Sequence, residues 1–131
     1  AAETFTYGKH GSTFGGNPLA TAAGIATLSI IEEDDLRAHA KAMGDVICNG
    51  FRAALVNETG VVAVRNAGLM IGVELDRPCG DLVKRALAEK VLINVTADKV
   101  IRLLPPLVIN QAEAEQLVAI LAKIIKQFLS E

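Results

Sequence analysis

Two short stretches carry side chains suited to holding an anion. The first is Gly11-Ser12-Thr13-Phe14-Gly15-Gly16. Adjacent hydroxyls in so flexible a backbone can wrap a phosphate or carboxylate, and a helix starting just after them adds the positive end of its dipole. The same composition also suits a plain flexible turn. The second is Arg102, the one charge in Val-Ile-Arg-Leu-Leu-Pro-Pro-Leu-Val. A guanidinium projecting from an otherwise apolar strand offers a fork of donors that matches a carboxylate. An ion pair at a strand edge is the competing reading.

Other chemistries lack their groups. His10 and His39 are the two imidazoles, short of the three or four convergent ligands a metal site needs. His39 falls on a polar helix face and reads as exposed. Gly8-Lys9 is followed by His10, where a P-loop requires Ser or Thr, and no strand precedes it. Neither the G-x-S-x-G nor the G-x-G-x-x-G pattern occurs, which argues against a hydrolase elbow or a dinucleotide fold. Cys48 and Cys79 lie too far apart for a C-x-x-C motif and read as reduced thiols of a cytosolic protein. Cys79 stands near a helix start, a place that lowers a thiol's pKa, although a purely structural role is the simpler reading.

These groups need elements to position them. Asn17 and Pro18 are suited to N-cap and first helical position, and Leu-Ala-Thr-Ala-Ala-Gly-Ile-Ala-Thr-Leu-Ser-Ile-Ile continues with almost no polar face, so this helix is expected to be buried on most sides. The acidic run Glu32-Glu33-Asp34-Asp35 marks a junction, after which Leu36, Ala40, Met43, Ile47, Phe51 and Leu55 repeat at helical spacing. That predicts an amphipathic helix over 34–58, ended by Thr59-Gly60. Val61–Asn66 and Leu69–Leu75 read as two antiparallel strands around a turn at Asn66-Ala67-Gly68. In the second, Leu69, Ile71, Val73 and Leu75 share one face, and Met70, Gly72 and Glu74 the other. Gly72 marks either a packing glycine or the close approach of a backbone or ligand.

A helix over 80–90, with Leu82, Val83, Ala86 and Leu87 inward, and strands at 91–95 and 100–104 follow. Pro105-Pro106 stops the last strand. Asn110 with Glu113 forms a capping box for a final helix whose stripe is Leu117, Leu121, Ile124 and Phe128. The sum is an α/β unit, a small, mostly antiparallel sheet covered by helices on one side.

The 131 residues suffice for one core without disulfides. Thirteen basic against fifteen acidic side chains give a net charge of −2, which lacks the electrostatics for nucleic acid or an anionic membrane. No apolar run reaches membrane-spanning length, and the first residues lack the pattern of a secretory signal, so the expected location is cytoplasmic.

Residues 10–20, His-Gly-Ser-Thr-Phe-Gly-Gly-Asn-Pro-Leu-Ala, resemble the motif of class III pyridoxal-phosphate aminotransferases, in particular their acetylornithine and ornithine branch. Gly68–Leu75 and Ile101–Ile109 resemble later family segments in order and spacing. The resemblance implies the C-terminal third of a fold type I enzyme: an arm over 1–16, a connecting helix over 17–33 and a small domain over 34–131. It further implies pyridoxal 5'-phosphate as cofactor, with Thr13 on the cofactor phosphate of the partner subunit in a homodimer, Ser12 beside the substrate, and Arg102 on the substrate's α-carboxylate. The implied reaction moves an amino group between N-acetylornithine and 2-oxoglutarate in arginine biosynthesis. Ornithine, succinylornithine and 4-aminobutyrate aminotransferases share these segments. The family's cofactor-carrying lysine precedes the Gly-Ser-Thr motif by some tens of residues, and no lysine here matches it. This chain by itself is therefore expected to be inactive, and a rival reading is a stable fragment or interaction module with an apolar patch on the helix over 18–32.

Overall fold

The computed structural model describes residues 2–4 and 6–131, so Ala1 and Phe5 of the expected arm lie outside the described residues. The chain divides into a unit ending at Asp35 and a unit from Leu36 to Glu131.

The first unit holds a short 3₁₀ turn, Ala2–Thr4, and helix α1, Pro18–Glu33. Asn17 caps α1 as expected, its Oδ1 accepting from the Ala20 N–H at 3.0 Å. The expectation of a helix buried on most sides is overturned. None of its residues is buried, and Leu19 and Leu28 are 81% and 63% exposed. A 35-residue unit with one long element has nothing of its own to cover a largely apolar helix. The acidic run ends α1 as read: Asp34 is the C-cap, and Asp35 takes φ +44°.

The second unit contains α2 (Leu36–Ala54), β1 (Val61–Ala67), β2 (Met70–Leu75), α3 (Leu82–Ala88), β3 (Asn94–Thr96), β4 (Val100–Leu103) and α4 (Gln111–Leu129). The strands form one antiparallel sheet in the order β1-β2-β4-β3. Alternation decides its two faces. Ile71, Val73 and Leu75 of β2 and Ile101 and Leu103 of β4 enter a core with Ile47, Phe51, Leu121 and Ile125 of the helices, while Met70 and Arg102 point the other way and stay exposed. Helices thus cover one face and leave the other open, as expected. Truncating the fully buried Phe51 to alanine would cost about 3–5 kcal/mol.

Boundaries and faces differ from the sequence reading where local hydrogen bonds intervene. Helix α2 stops at Ala54 rather than near residue 58, because Glu58 N–H bonds back to Leu55 O in a tighter turn. The hairpin turn is Gly68-Leu69: Ala67 still pairs with Met70, and Gly68 supplies φ +57°. Strand β3 begins only at Asn94. Lys90 has φ +63° and Val91 N–H closes α3 by bonding to Ala86 O, so the chain is still leaving the helix at 91, and pairing with β4 starts with Asn94 opposite Arg102. In α3 only Leu82 and Ala86 are buried; Leu87 is 58% exposed. The α4 capping box forms as read, with Asn110 Oδ1 accepting from Glu113 N–H and Glu113 Oε2 accepting from Asn110 N–H. The buried stripe of α4 is centred on Ala114, Val118, Leu121, Ala122, Ile124 and Ile125, with Leu117 and Phe128 half-buried at its margins, because α4 packs on both α2 and α3.

His39 is not simply exposed: it is half-buried, and its Nε2–H donates to the Ile109 carbonyl at 2.8 Å, tying α2 to the approach of α4. Cys48 and Cys79 are free thiols at 0% exposure. Burial pushes both thiols above their ordinary pKa, so proximity to a helix start does not activate Cys79.

Candidate functional site

Arg102 sits at the centre of the sheet's open face. Its strand has a neighbour on each side, β2 and β3, so the backbone is held in two ladders, and the inward Ile101 and Leu103 anchor it from beneath. Register then builds a row across the sheet. Arg65 on β1 pairs with Gly72 on β2, Gly72 pairs with Arg102 on β4, and Arg102 pairs with Asn94 on β3. Directly paired residues project on the same face, so both guanidinium groups rise on either side of a residue with no side chain. They line an open-sided concavity of about 340 Å³ that also includes Met70, Thr96 and Val100.

The two arginines differ in their partners. Arg65 Nη1 donates to Glu74 Oε2 at 2.5 Å. The Arg102 side chain is exposed and makes no hydrogen bond or ion pair among the described residues. The expected strand edge is not one, since β4 is internal, and among the described residues no carboxylate pairs with Arg102. Within the described residues it is a forked donor on a stiff support, a geometry suited to a carboxylate.

Gly72 does not mark a tight backbone approach. A Cβ there would lie 3.4 Å from Val100 Cγ1 and 3.8 Å from Arg65 Cγ, ordinary contacts. Its missing side chain instead leaves a floor between the two arginines. Sequence reasoning placed Arg65 only within a strand and missed it as a site neighbour. The usable signal was parity, since Arg65 and Glu74 both fall on the outward positions of strands read as a hairpin.

Ser12 and Thr13 belong to the first unit. Ser12 Oγ accepts from Gly15 N–H at 2.8 Å, and Asn17 Nδ2 donates to the Phe14 carbonyl at 2.5 Å, which shapes the segment into a turn directly before α1. Gly16, at φ +76°, completes it. The Ser12 hydroxyl oxygen is thus engaged within the turn, whereas exposed Thr13 makes no such bond among the described residues. A free hydroxyl beside a helix N-terminus fits a phosphate group. No cluster of metal-ligating side chains occurs among the described residues, and no helix there is long and apolar enough to cross a membrane.

The sequence profile described as "Aminotransferase class-III" matches residues 1–125. The chain belongs to the class-III aminotransferases. Among its family relatives, acetylornithine aminotransferase 1 of Bordetella bronchiseptica is 49% identical over 131 residues, all of this chain and 33% of the relative. Acetylornithine aminotransferase of Nitrosomonas europaea is 47% identical over 129 residues, 98% of this chain and again 33% of the relative. The class-III chain therefore spans about a third of the length of the curated relatives it matches. Among solved structures, acetylornithine aminotransferase from Elizabethkingia anophelis superimposes with a TM-score of 0.78 at 32% identity, covering 97% of this chain and 34% of that one. Ornithine δ-aminotransferase of Plasmodium falciparum gives a TM-score of 0.85 at 27% identity, covering 99% and 34%.

Proposed function

We propose that these residues are the arm (1–16), connecting helix (17–33) and small domain (34–131) of an aminotransferase that exchanges an amino group between N-acetylornithine and 2-oxoglutarate. The observation that carries this reading is the 49% identity to an acetylornithine aminotransferase along the whole chain. The proposal extends to a cytoplasmic homodimer serving arginine biosynthesis, with pyridoxal 5'-phosphate as cofactor.

In this reading Arg102 takes the α-carboxylate of amino donor and oxo acid alike. Its guanidinium fixes one end of the substrate, so that the reacting end is presented in one orientation rather than sampled. Thr13 donates its hydroxyl to the cofactor phosphate, next to the positive end of α1. Ser12, held by Gly15 N–H, lines the substrate side of that turn. Pyridoxal phosphate, when bound, supplies the electron sink for deprotonation at the amino-bearing carbon. The chain's own residues bind and orient; no lysine here matches the family's cofactor-carrying segment, so the activity is proposed for the holoenzyme.

Ornithine as amino donor is the second reading, favoured by the TM-score of 0.85 to an ornithine δ-aminotransferase. Comparing kcat/KM for N-acetylornithine and ornithine in the holoenzyme decides between them, since an acylated and a charged α-amine demand different surroundings. A preference for N-acetylornithine is expected, and Arg102→Ala should raise KM for every carboxylate substrate. Preference for ornithine overturns the first reading, and unchanged KM values in Arg102→Ala remove Arg102 from the site.

A further inference from the structure

Strand β1 is an outer strand of the sheet formed by the described residues. Its first half, Val61-Val62-Ala63-Val64, is apolar and mostly β-branched, with neither charge nor proline. An outer strand of that composition is a template onto which another strand can add. Addition uses the backbone groups that point away from β2, and the hydrogen bonds fix which these are. Leu75 N–H donates to Lys99 O on the β4 side. Alternation turns the backbone of Val73 towards β4 as well, and that of its β1 partner Val64 away from the sheet. The same parity turns Asn66 outward.

Helix α2 lays a polar row along these two residues. Lys41, Asp45, Asn49 and Arg52 follow one another at steps of four, four and three, on one helix face. Arg52 Nη2 donates to the outward Val64 carbonyl at 3.0 Å, and Arg52 Nη1 donates to Asn49 Oδ1 at 3.1 Å. Asp45 accepts from Asn66 Nδ2 at 3.2 Å and from Lys41 Nζ at 2.9 Å. Ahead of Val64 the register shifts between Val61 and Ala63, which sets the 60%-exposed Val62 in a bulge. Bulges of this kind spoil a flat edge.

We propose that Arg52 closes the β1 edge against a second copy of this chain. The excluded contact is β1 on β1, antiparallel about a two-fold axis, because the same apolar run and the same outward groups then meet on both sides. A strand arriving there must first displace the guanidinium from Val64 O. This role is independent of Arg102 and of the reaction, since Arg52 acts on the far edge of the hairpin.

The test is made in the holoenzyme. Arg52→Ala should tighten association beyond the parental oligomer by about tenfold, as expected for loss of one hydrogen bond from a charged donor, read by sedimentation velocity over a concentration series. Freshly prepared protein should keep its parental kcat/KM. In the associated species the Val64 and Asn66 amides should gain protection from hydrogen exchange. Arg52→Lys, which retains a donor, should sediment as the parent does, and Val62→Lys added to Arg52→Ala should restore parental behaviour by placing a charge on the strand. Arg52→Met, which keeps the side chain's stem, repeats the test if the alanine variant does not fold. Asn110→Ala, compared at equal urea midpoint, reports association that follows from lost stability alone. The proposal falls if Arg52→Ala associates no more than the parent, or no more than Asn110→Ala. It falls equally if the amides of Val64 and Asn66 stay unprotected, or if Val62→Lys leaves the association in place.

Discussion

Gly44 of α2 lies against the carbonyl of Gly68 in the β1–β2 turn so closely that a Cβ at position 44 would fall 2.0 Å from that oxygen. Helix and hairpin meet backbone to backbone there. The contact is reinforced by Asn66, whose Nδ2 donates to Gly68 O at 3.3 Å and to Asp45 Oδ1 at 3.2 Å. Since β2 carries Gly72 and pairs with the Arg102 strand, the seat of this hairpin on α2 also sets the site's geometry.

Gly44→Ala should therefore be among the most damaging small substitutions in the chain. The clash is with backbone rather than with the movable end of a side chain, so α2 and the hairpin must separate. Overpacking of this kind costs about 3 kcal/mol. Urea denaturation should show a correspondingly lower midpoint with little change in slope, and an unchanged midpoint would refute the contact.

Asn110→Ala removes one half of a reciprocal cap and leaves the Glu113 N–H without its acceptor. A loss of about 1 kcal/mol is expected. Asn110→Asp, which keeps an acceptor and adds favourable charge at the helix N-terminus, should retain most of the stability. Thermal melts of the two variants side by side would measure the difference.

The cysteines should be silent in the folded protein. Both thiols are fully buried, and burial shifts them upward by disfavouring the charged thiolate. Raising the pH towards 9 should therefore not bring on reaction with a thiol reagent such as Ellman's, whereas denaturant should release both sulfhydryls together. Rapid labelling of Cys79 in the native state would contradict its placement in the core.

Thr13→Ala should weaken retention of pyridoxal phosphate in the holoenzyme. A hydrogen bond to a charged acceptor contributes about 1.5–3 kcal/mol, so a loss of roughly ten- to a hundredfold in affinity is expected. Cofactor absorbance after dialysis is the measurement, and parental retention would argue that the phosphate is held elsewhere.

Much of this was legible in the residues. Alternation in Leu69–Leu75 assigned both faces of β2 correctly, because a period of two cannot be mistaken once one side is wholly apolar. The α4 capping box was readable because its two members are a fixed three residues apart. What stayed hidden was set by contacts distant in sequence. The start of β3 at Asn94 is set by its register on β4, and the partner of His39 is a carbonyl 70 residues away. Arg65 was invisible as a neighbour of Arg102 because their kinship runs through the pairing of three strands. Helix α1 was misjudged for a different reason: a largely apolar sequence reports a need for cover, and its own unit supplies none.

The strict alternation of β4 has a genetic corollary. Ile101 and Leu103 point into the core and Arg102 points out, so the guanidinium's direction and the hydrophobic packing are read in the same frame. Losing or gaining one codon within this strand would turn the arginine inward and the aliphatic residues outward together. Such a lesion yields an unfolded protein rather than a folded, inactive one. Point substitutions on the open face, at Arg65, Gly72, Glu74 or Arg102, leave the packing untouched and are the route by which the binding properties of this sheet can drift while the fold persists.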